Sequence, residues 1–320
     1  MSALSIGKIK NLRACATARG HFTILAADHR DALRVMIAPD APNNVPAAAL
    51  TEIKLDIVRH LAPAASAVLL DPIYSAAQAL ASEHWPGGTG LLCALEEQGY
   101  LGDAFSRRTP MLEGWSVEKS RQLGANGVKI LLFYHPDSGA AAEAQDVLVR
   151  SIVEDCRRHE IPFFLEPISY PLDPKIKKNS PEFARARRRV VIESARRLSA
   201  LGADVMKVEF PLDAGHDSDP GLWTEACAEL NEACAAPWAL LSAGEPFETF
   251  KDQLRVACRA GCSGFVAGRA LWQEAAKLSG AERDKFLSET AYRRLRELSD
   301  ITEEYGAAWH DTSRLRLRFP

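Results

Sequence analysis

Phe22-Thr-Ile-Leu-Ala-Ala-Asp28 is a short apolar run that ends on a charged residue, and seven more runs of similar build follow along the chain. The next three are Ser66-Ala-Val-Leu-Leu-Asp71, Gly90-Leu-Leu-Cys-Ala-Leu-Glu96 and Gly127-Val-Lys-Ile-Leu-Leu-Phe133. After them come Ile161-Pro-Phe-Phe-Leu-Glu166, Ala203-Asp-Val-Met-Lys-Val-Glu209, Pro237-Trp-Ala-Leu-Leu-Ser242 and Ser263-Gly-Phe-Val-Ala-Gly268. Each has the length of a strand buried on both faces, as parallel strands are. The leucines of the third would also suit a helix. From Asp28 to Gly268 the run ends are spaced about 34 residues apart, the size of one strand–helix unit.

Amphipathic helical patterns fill the gaps. Ser180-Pro181-Glu182 offers an N-cap, a proline at the first helical position and an acid in the first turn. The helix it opens aligns Phe183, Val190, Val191, Ala195 and Leu198 and stops at Gly202. Phe247, Phe250, Leu254 and Ala257 form a second stripe that ends at Gly261. Eight such units predict an α/β fold, a (β/α)8 TIM barrel with extra N- and C-terminal helices, as a single domain over residues 1–320. A doubly wound sheet is the alternative, but no Gly-x-Gly-x-x-Gly turn follows the first strand.

Composition sets the outer bounds. The 320 residues are 47% hydrophobic and 25% charged, the mix of a globular protein, which excludes disorder and collagen-like repeats. With 39 basic and 42 acidic residues the formal charge is −3, so no global field favours nucleic acid or an anionic membrane as a partner. No stretch reaches the roughly 18 apolar residues of a membrane span. The N-terminus carries Lys8 and Lys10 but no apolar core of signal-peptide length, so a cytoplasmic location is expected. The seven cysteines contain no Cys-x-x-Cys pair and read as reduced packing thiols; Cys258 and Cys262 lack neighbours to complete a zinc site. The eight histidines show no metal-ligand spacing, so no metal is expected.

In a barrel the chemistry sits at the C-terminal ends of the strands. Those positions read Asp28, Asp71, Glu96, Lys129, Glu166, Lys207 with Glu209, Ser242, and Arg269. Lysine is rarely buried without a partner, yet Lys129 and Lys207 both interrupt apolar strands. Alternation puts Val205, Lys207 and Glu209 on one face, so an amine and a carboxylate would stand together inside the barrel. Desolvation and a nearby cation favour the neutral amine of a lysine, the form that attacks a carbonyl to give a Schiff base. A structural Lys–Glu ion pair fits the same pattern, and spacing does not separate the two. Glu166, followed by Pro167, is expected at a strand end, where it could shuttle protons or pair with Lys129. Ser242-Ala-Gly244 and Gly268-Arg269 stand where barrels bind phosphate, after strands seven and eight. His29 and His135 lie near strand ends and are expected to line the pocket. Asp71-Pro72 is expected to position neighbours, and Arg185, Arg187, Arg188 and Arg189 to form mostly a solvated helix face.

Leu25-Ala-Ala-Asp-His-Arg30, Val68-Leu-Leu-Asp-Pro72, Gly127-Val-Lys-Ile-Leu-Leu-Phe-Tyr134, Phe163-Phe-Leu-Glu166, Ala203-Asp-Val-Met-Lys-Val-Glu209, Leu241-Ser-Ala-Gly244 and Ala267-Gly-Arg-Ala-Leu-Trp272 together resemble class I tagatose-1,6-bisphosphate aldolases. The related sulfofructose-phosphate aldolases share these motifs. The resemblance spans about residues 20 to 275. It implies a (β/α)8 barrel without cofactor or metal that reversibly cleaves a ketose phosphate to dihydroxyacetone phosphate and an aldehyde. By the same resemblance Lys207 is the Schiff-base lysine, Glu166 the acid/base and Lys129 the second active-site lysine. Asp28 then stands near the substrate hydroxyls, and Ser242, Gly244, Gly268 and Arg269 form the anion-binding loops. Where the family pattern is Asp-Gln-Arg this chain has Asp28-His29-Arg30, so the substrate's distal group, phosphate or sulfonate, stays open. The partner implied is a small sugar phosphate, and a homo-oligomer is compatible with the sequence. A metal-dependent barrel lyase and a sugar-phosphate-sensing regulator on the same barrel are the competing functions.

Overall fold

The computed structural model describes residues 4–311. Eight parallel strands close into a barrel in sequence order. They are β1 Phe22–Ala26, β2 Ala67–Leu70, β3 Gly90–Ala94, β4 Gly127–Tyr134, β5 Phe163–Ser169, β6 Val205–Val208, β7 Trp238–Leu241 and β8 Gly264–Ala267. Closure is the pairing of β1 with both neighbours, Ile24 opposite Ala67 of β2 and Phe22 opposite Gly264 of β8. The third run is a strand rather than a helix. Its leucines alternate, Leu91 packing outward against the helical layer and Leu92 inward. The sequence-predicted helices run from Pro181 to Ser199 and from Phe247 to Arg259. The expected terminal helices are present as Ile6–Ala14 and, at the other end, Tyr292–Tyr305. No described helix is long and apolar enough to cross a membrane.

Two apolar layers follow from the period-two alternation of strands buried on both faces. Outward residues meet the helices in one continuous cluster. Inward residues form a separate plug of Phe22, Ile24, Leu69, Leu92, Phe164, Val205 and Val266, sealed from below by Leu4, Leu12 and Trp309. Phe22 and Phe164 meet edge to face, their ring centroids 5.7 Å apart. Gly127 makes room for them, since a Cβ there would stand 2.9 Å from Leu92 and 3.1 Å from Phe164. This dry floor lies directly beneath the polar residues that follow it along each strand.

Several polar residues expected at strand ends sit elsewhere. Asp28, Asp71 and Glu96 lie just past their strands, while Glu166 lies inside β5, which runs three residues further. Pro167 is tolerated there for a geometric reason. The Phe163 carbonyl accepts from Asp204 N on the β6 side, so by alternation the Pro167 nitrogen also faces β6. Backbone pairing with β6 ends at Leu165, so the missing N–H leaves no ladder bond unmade. All seven cysteines are buried.

Phe164 fills the centre of the floor, so Phe164→Ala should lower the unfolding free energy by about 3–5 kcal/mol through lost burial and a residual cavity. Urea denaturation of the two proteins measures it. A loss under about 1 kcal/mol would mean that the floor collapses around the gap and does not set the site's position.

Candidate active site

Above the floor the barrel opens into a cavity of about 440 Å³, within the range of small-molecule sites. Its lining includes Asp28, His29, Glu96, Lys129, Glu166, Lys207, Ser242, Gly268 and Arg269. The strands deliver these groups by simple alternation. One residue pair along from Phe164 on β5 is Glu166, and one pair along from Val205 on β6 is Lys207, so each charge stands one layer above an apolar plug residue.

Glu166 links the two lysines. Its Oε1 lies 2.8 Å from Lys207 Nζ and its Oε2 lies 2.9 Å from Lys129 Nζ. Lys129 also donates to Asp28 Oδ2 at 2.8 Å and to Glu96 Oε1 at 2.6 Å. Among the described residues the ammonium of Lys129 is thus surrounded by three carboxylates, whereas Lys207 has one. Burial works against charge on Lys129, but Asp28, Glu166 and Glu96 together outweigh it and hold that amine well above the ordinary lysine value. Burial would likewise raise Asp28, yet Lys129 and Lys207 dominate and keep it ionised far below the usual carboxylate range.

The structure revises several expectations. Glu209 does not pair with Lys207. Its Oε2 accepts from the Ser169 amide and hydroxyl at 2.7 and 2.6 Å, and its Oε1 accepts from Lys178 at 2.6 Å. Both residues line the same cavity, as the alternation expected, but the Glu209 carboxylate is taken up by Ser169 and Lys178. Arg187 leaves the solvated face of its helix and donates to the Phe210 carbonyl from Nε and Nη2, both at 3.2 Å. His135 is outside the cavity lining, its Nδ1 accepting from Asp137 N at 3.1 Å. Asp71 is fully buried and structural, bonded to Lys54, to Ser75 and to the Ile73 and Tyr74 amides.

The loops after β7 and β8 meet at Arg269. Gly244, with φ +87°, does not line the cavity but backs the guanidinium, since a Cβ there would stand 3.0 Å from Arg269 Cζ. Ala243 before it holds φ +49°, a conformation that costs a residue with a Cβ and recurs at functional sites. Gly268 lines the cavity, and the β1 backbone excludes a side chain there, a Cβ being only 2.6 Å from the Ala26 carbonyl oxygen. Two participants were missed as such. Glu96 was legible as a strand-end acid but not as a Lys129 partner. Arg30, buried and donating to the Glu96 carbonyl oxygen at 2.6 Å, was visible only as part of a motif.

His29 packs edge to face on Trp272 at 5.2 Å, and its Nδ1 lies 3.9 Å from Asp28 Oδ1. Burial pushes its pKa down to about 3, with Arg269 and Lys207 adding to the effect against Asp28. An unfolded histidine titrates near 6.5, so between that pH and about 3 the unfolded chain binds the extra proton. Native stability therefore falls as the pH drops through this window. His29→Gln should remove about 1–2 kcal/mol of the loss between pH 7 and pH 5, read from urea midpoints at both values. An identical pH dependence in both proteins would show that His29 is not buried in its neutral form.

A family model described as the DeoC/LacD family aldolase matches residues 22–274. Tagatose 1,6-diphosphate aldolase 1 of Enterococcus faecalis is 33% identical over 321 residues, covering 95% of this chain and 97% of that protein. Tagatose 1,6-diphosphate aldolase 2 of Streptococcus pyogenes serotype M3 is 31% identical over 310 residues, 91% and 93% of the two chains. Among solved structures, the fructose-bisphosphate aldolase of Plasmodium falciparum superposes with a TM-score of 0.68 at 14% identity, covering 95% of this chain and 97% of that one. A Schiff base forming fructose-1,6-bisphosphate aldolase superposes with a TM-score of 0.59 at 19% identity, covering 92% and 99%. These structural likenesses concern the fold, whereas the family match covers all eight strands and the cavity they enclose: the chain belongs to the DeoC/LacD aldolase family.

Proposed function

We propose that the protein is a class I aldolase that reversibly cleaves a ketose 1,6-bisphosphate such as tagatose 1,6-bisphosphate into dihydroxyacetone phosphate and glyceraldehyde 3-phosphate. The observation that carries this reading is the unequal sharing of Glu166. Lys129 is fixed in its charged state by three carboxylates, while Lys207 has, among the described residues, a single acidic partner to which it can pass a proton. The tagatose-bisphosphate activity named for the relatives supports the substrate class.

Lys207 gives a proton to Glu166 Oε1 and attacks the C2 carbonyl, forming a carbinolamine. Glu166 returns the proton to the departing hydroxyl, water leaves, and a protonated Schiff base remains. The cationic nitrogen then takes up the C3–C4 bonding pair as the C4 hydroxyl passes its proton to Glu166, so the aldehyde leaves and an enamine stays on Lys207. Protonation at C3 and hydrolysis release the ketone product and restore the amine. The covalent nitrogen is the electron sink, so the reading assigns no metal and no cofactor. Lys129 orients Glu166 and keeps a positive charge beside the reacting carbons. Asp28 and His29 face the substrate hydroxyls, and Ser242, Gly268 and Arg269, backed by Gly244, hold the phosphate nearest C2. Arg269 suits that role because its planar fork can grip an oxyanion with two parallel hydrogen bonds.

Borohydride added with the ketose phosphate should reduce the Schiff base, inactivate the enzyme and add the substrate's mass to the peptide that contains Lys207. Modification on the Lys129 peptide, or none at all, would refute the assignment. Glu166→Gln should lower kcat by about 10²–10⁴-fold. Trapping at Lys207 should still occur in that variant, more slowly. A change confined to KM would reduce Glu166 to a binding role.

A further inference from the structure

Asp28 and Glu96 meet on the Lys129 ammonium although the strands they follow, β1 and β3, are not neighbours, and β1 stands three places from β4. Backbone pairing therefore does not by itself set where Asp28 meets the amine. Asp28 lies in a short crossing. Ala27 N still bonds to the Leu69 carbonyl oxygen at 2.8 Å, and the helix Asp31–Ile37 starts four residues further on. Asp28, His29 and Arg30 span the interval, and Arg30, which precedes the helix, gives it no side-chain cap.

Gln98 supplies the fastening from the β3 side. Its Oε1 accepts from the Arg30 amide at 2.9 Å and from the Asp31 amide at 2.5 Å. The second of these is one of the donors that a helix start leaves without an intrahelical partner. Arg30 returns the connection, its Nη2 donating to the Glu96 carbonyl oxygen at 2.6 Å. The segment that carries Gln98 is itself tied to Lys129, because Leu95 N donates to the Lys129 carbonyl oxygen at 3.0 Å. Leu112 N, bonded to the Leu95 carbonyl oxygen at 3.0 Å, and Glu97 N, bonded to that of Pro110 at 2.8 Å, brace the same segment. A closed circuit results. It runs from the Lys129 backbone through Leu95, Gln98 and the Arg30 and Asp31 amides to Asp28, whose Oδ2 returns to Lys129 Nζ at 2.8 Å.

We propose that Gln98 is a positioning residue, which holds Asp28 against the Lys129 ammonium through the Arg30 and Asp31 amides. This rests on the aldolase reading and adds to it a residue that acts through another. Gln98 lines the cavity, but its Oε1 is committed to the two amides. With Asp28 displaced, Lys129 leans on Glu96 and Glu166 alone, and Glu166 is drawn toward it and away from proton exchange with Lys207. His29 rides on the same crossing, so the face that meets the substrate hydroxyls shifts as well. A misplacement of about 1 Å is enough to cost a rate roughly 10²-fold.

Gln98→Met keeps the length of the side chain and removes the acceptor, whereas Gln98→Glu keeps an acceptor for both amides. With tagatose 1,6-bisphosphate, Gln98→Met should lose about 10–100-fold in kcat/KM, and Gln98→Glu should recover most of that. In an Asp28→Asn background the same Gln98→Met change should cost less than about threefold, because the group it positions is already altered. The Lys129 ammonium gives a readout without turnover. In protein isotope-labelled at lysine Nζ, the nuclear magnetic resonance signal that Lys129→Met removes should exchange its protons slowly in wild type and in Gln98→Glu, and faster in Gln98→Met. Equal kcat/KM in wild type and Gln98→Met, no recovery in Gln98→Glu, or unchanged exchange at Lys129 would each overturn the proposal. So would a full loss that persists beside Asp28→Asn, which would mean that Gln98 touches the substrate itself. Failure of borohydride trapping at Lys207, with faster Lys129 exchange in Gln98→Met, would sink the aldolase reading and leave the hold on Asp28 standing.

Discussion

Glu166 holds Lys207 through one oxygen and Lys129 through the other, in surroundings that water hardly reaches. Charges so buried persist only when their partners offset the loss of hydration. Here Asp28, Glu96 and Glu166 face Lys129, Lys207 and Arg269, so the formal charges of the cluster cancel. Within that neutral set the distribution is uneven, with Lys129 surrounded and Lys207 held by one contact. The unevenness is what holds Lys129 firmly as an ammonium. Removing any acid from the set would shift the balance for every base in it.

The cluster is possible because the barrel beneath it is dry. Phe22, Phe164 and their neighbours fill the interior up to the charged layer, and Gly127 leaves the space they need. Side chains from adjacent strands of a closed barrel converge on its axis, so residues distant in sequence come within hydrogen-bond reach without long loops. The ladder between β4 and β5 is long, continuing to Tyr134 and Ser169, and it holds Lys129 and Glu166 on rigid backbone rather than on a rim loop. Less favourable local states collect at the mouth. His29 is kept neutral there and Ala243 sits in the left-handed region. Such features cost stability, which the apolar layers offset.

The eight apolar runs, their spacing and the polar residues near their ends were enough to read the barrel, because parallel strands and amphipathic helices are encoded by short-range patterns. The same reading brought Lys207, Glu166, Lys129, Asp28, His29, Ser242, Gly268 and Arg269 to one cavity, and the structure places them there. What it did not reach was the individual contacts. Glu209 lines the cavity with Lys207 but pairs with Lys178, and Gly244 backs Arg269 rather than lining the cavity. His135 turns away from the cavity to cap its own loop.

What the sequence determined by itself was which residues point inward and which of those carry charge, since alternation and burial are properties of each segment. Which carboxylate meets which amine was decided only by the tertiary structure. The register between β4 and β5 sets Lys129 opposite Phe164 and Leu131 opposite Glu166, the pairing of β3 with β4 brings Glu96 to the same ammonium, and the curl of the barrel brings Asp28 to it from the end of β1. Partners of this kind lie tens of residues apart in the chain. The interaction between them falls off with distance in space, which no local sequence pattern records.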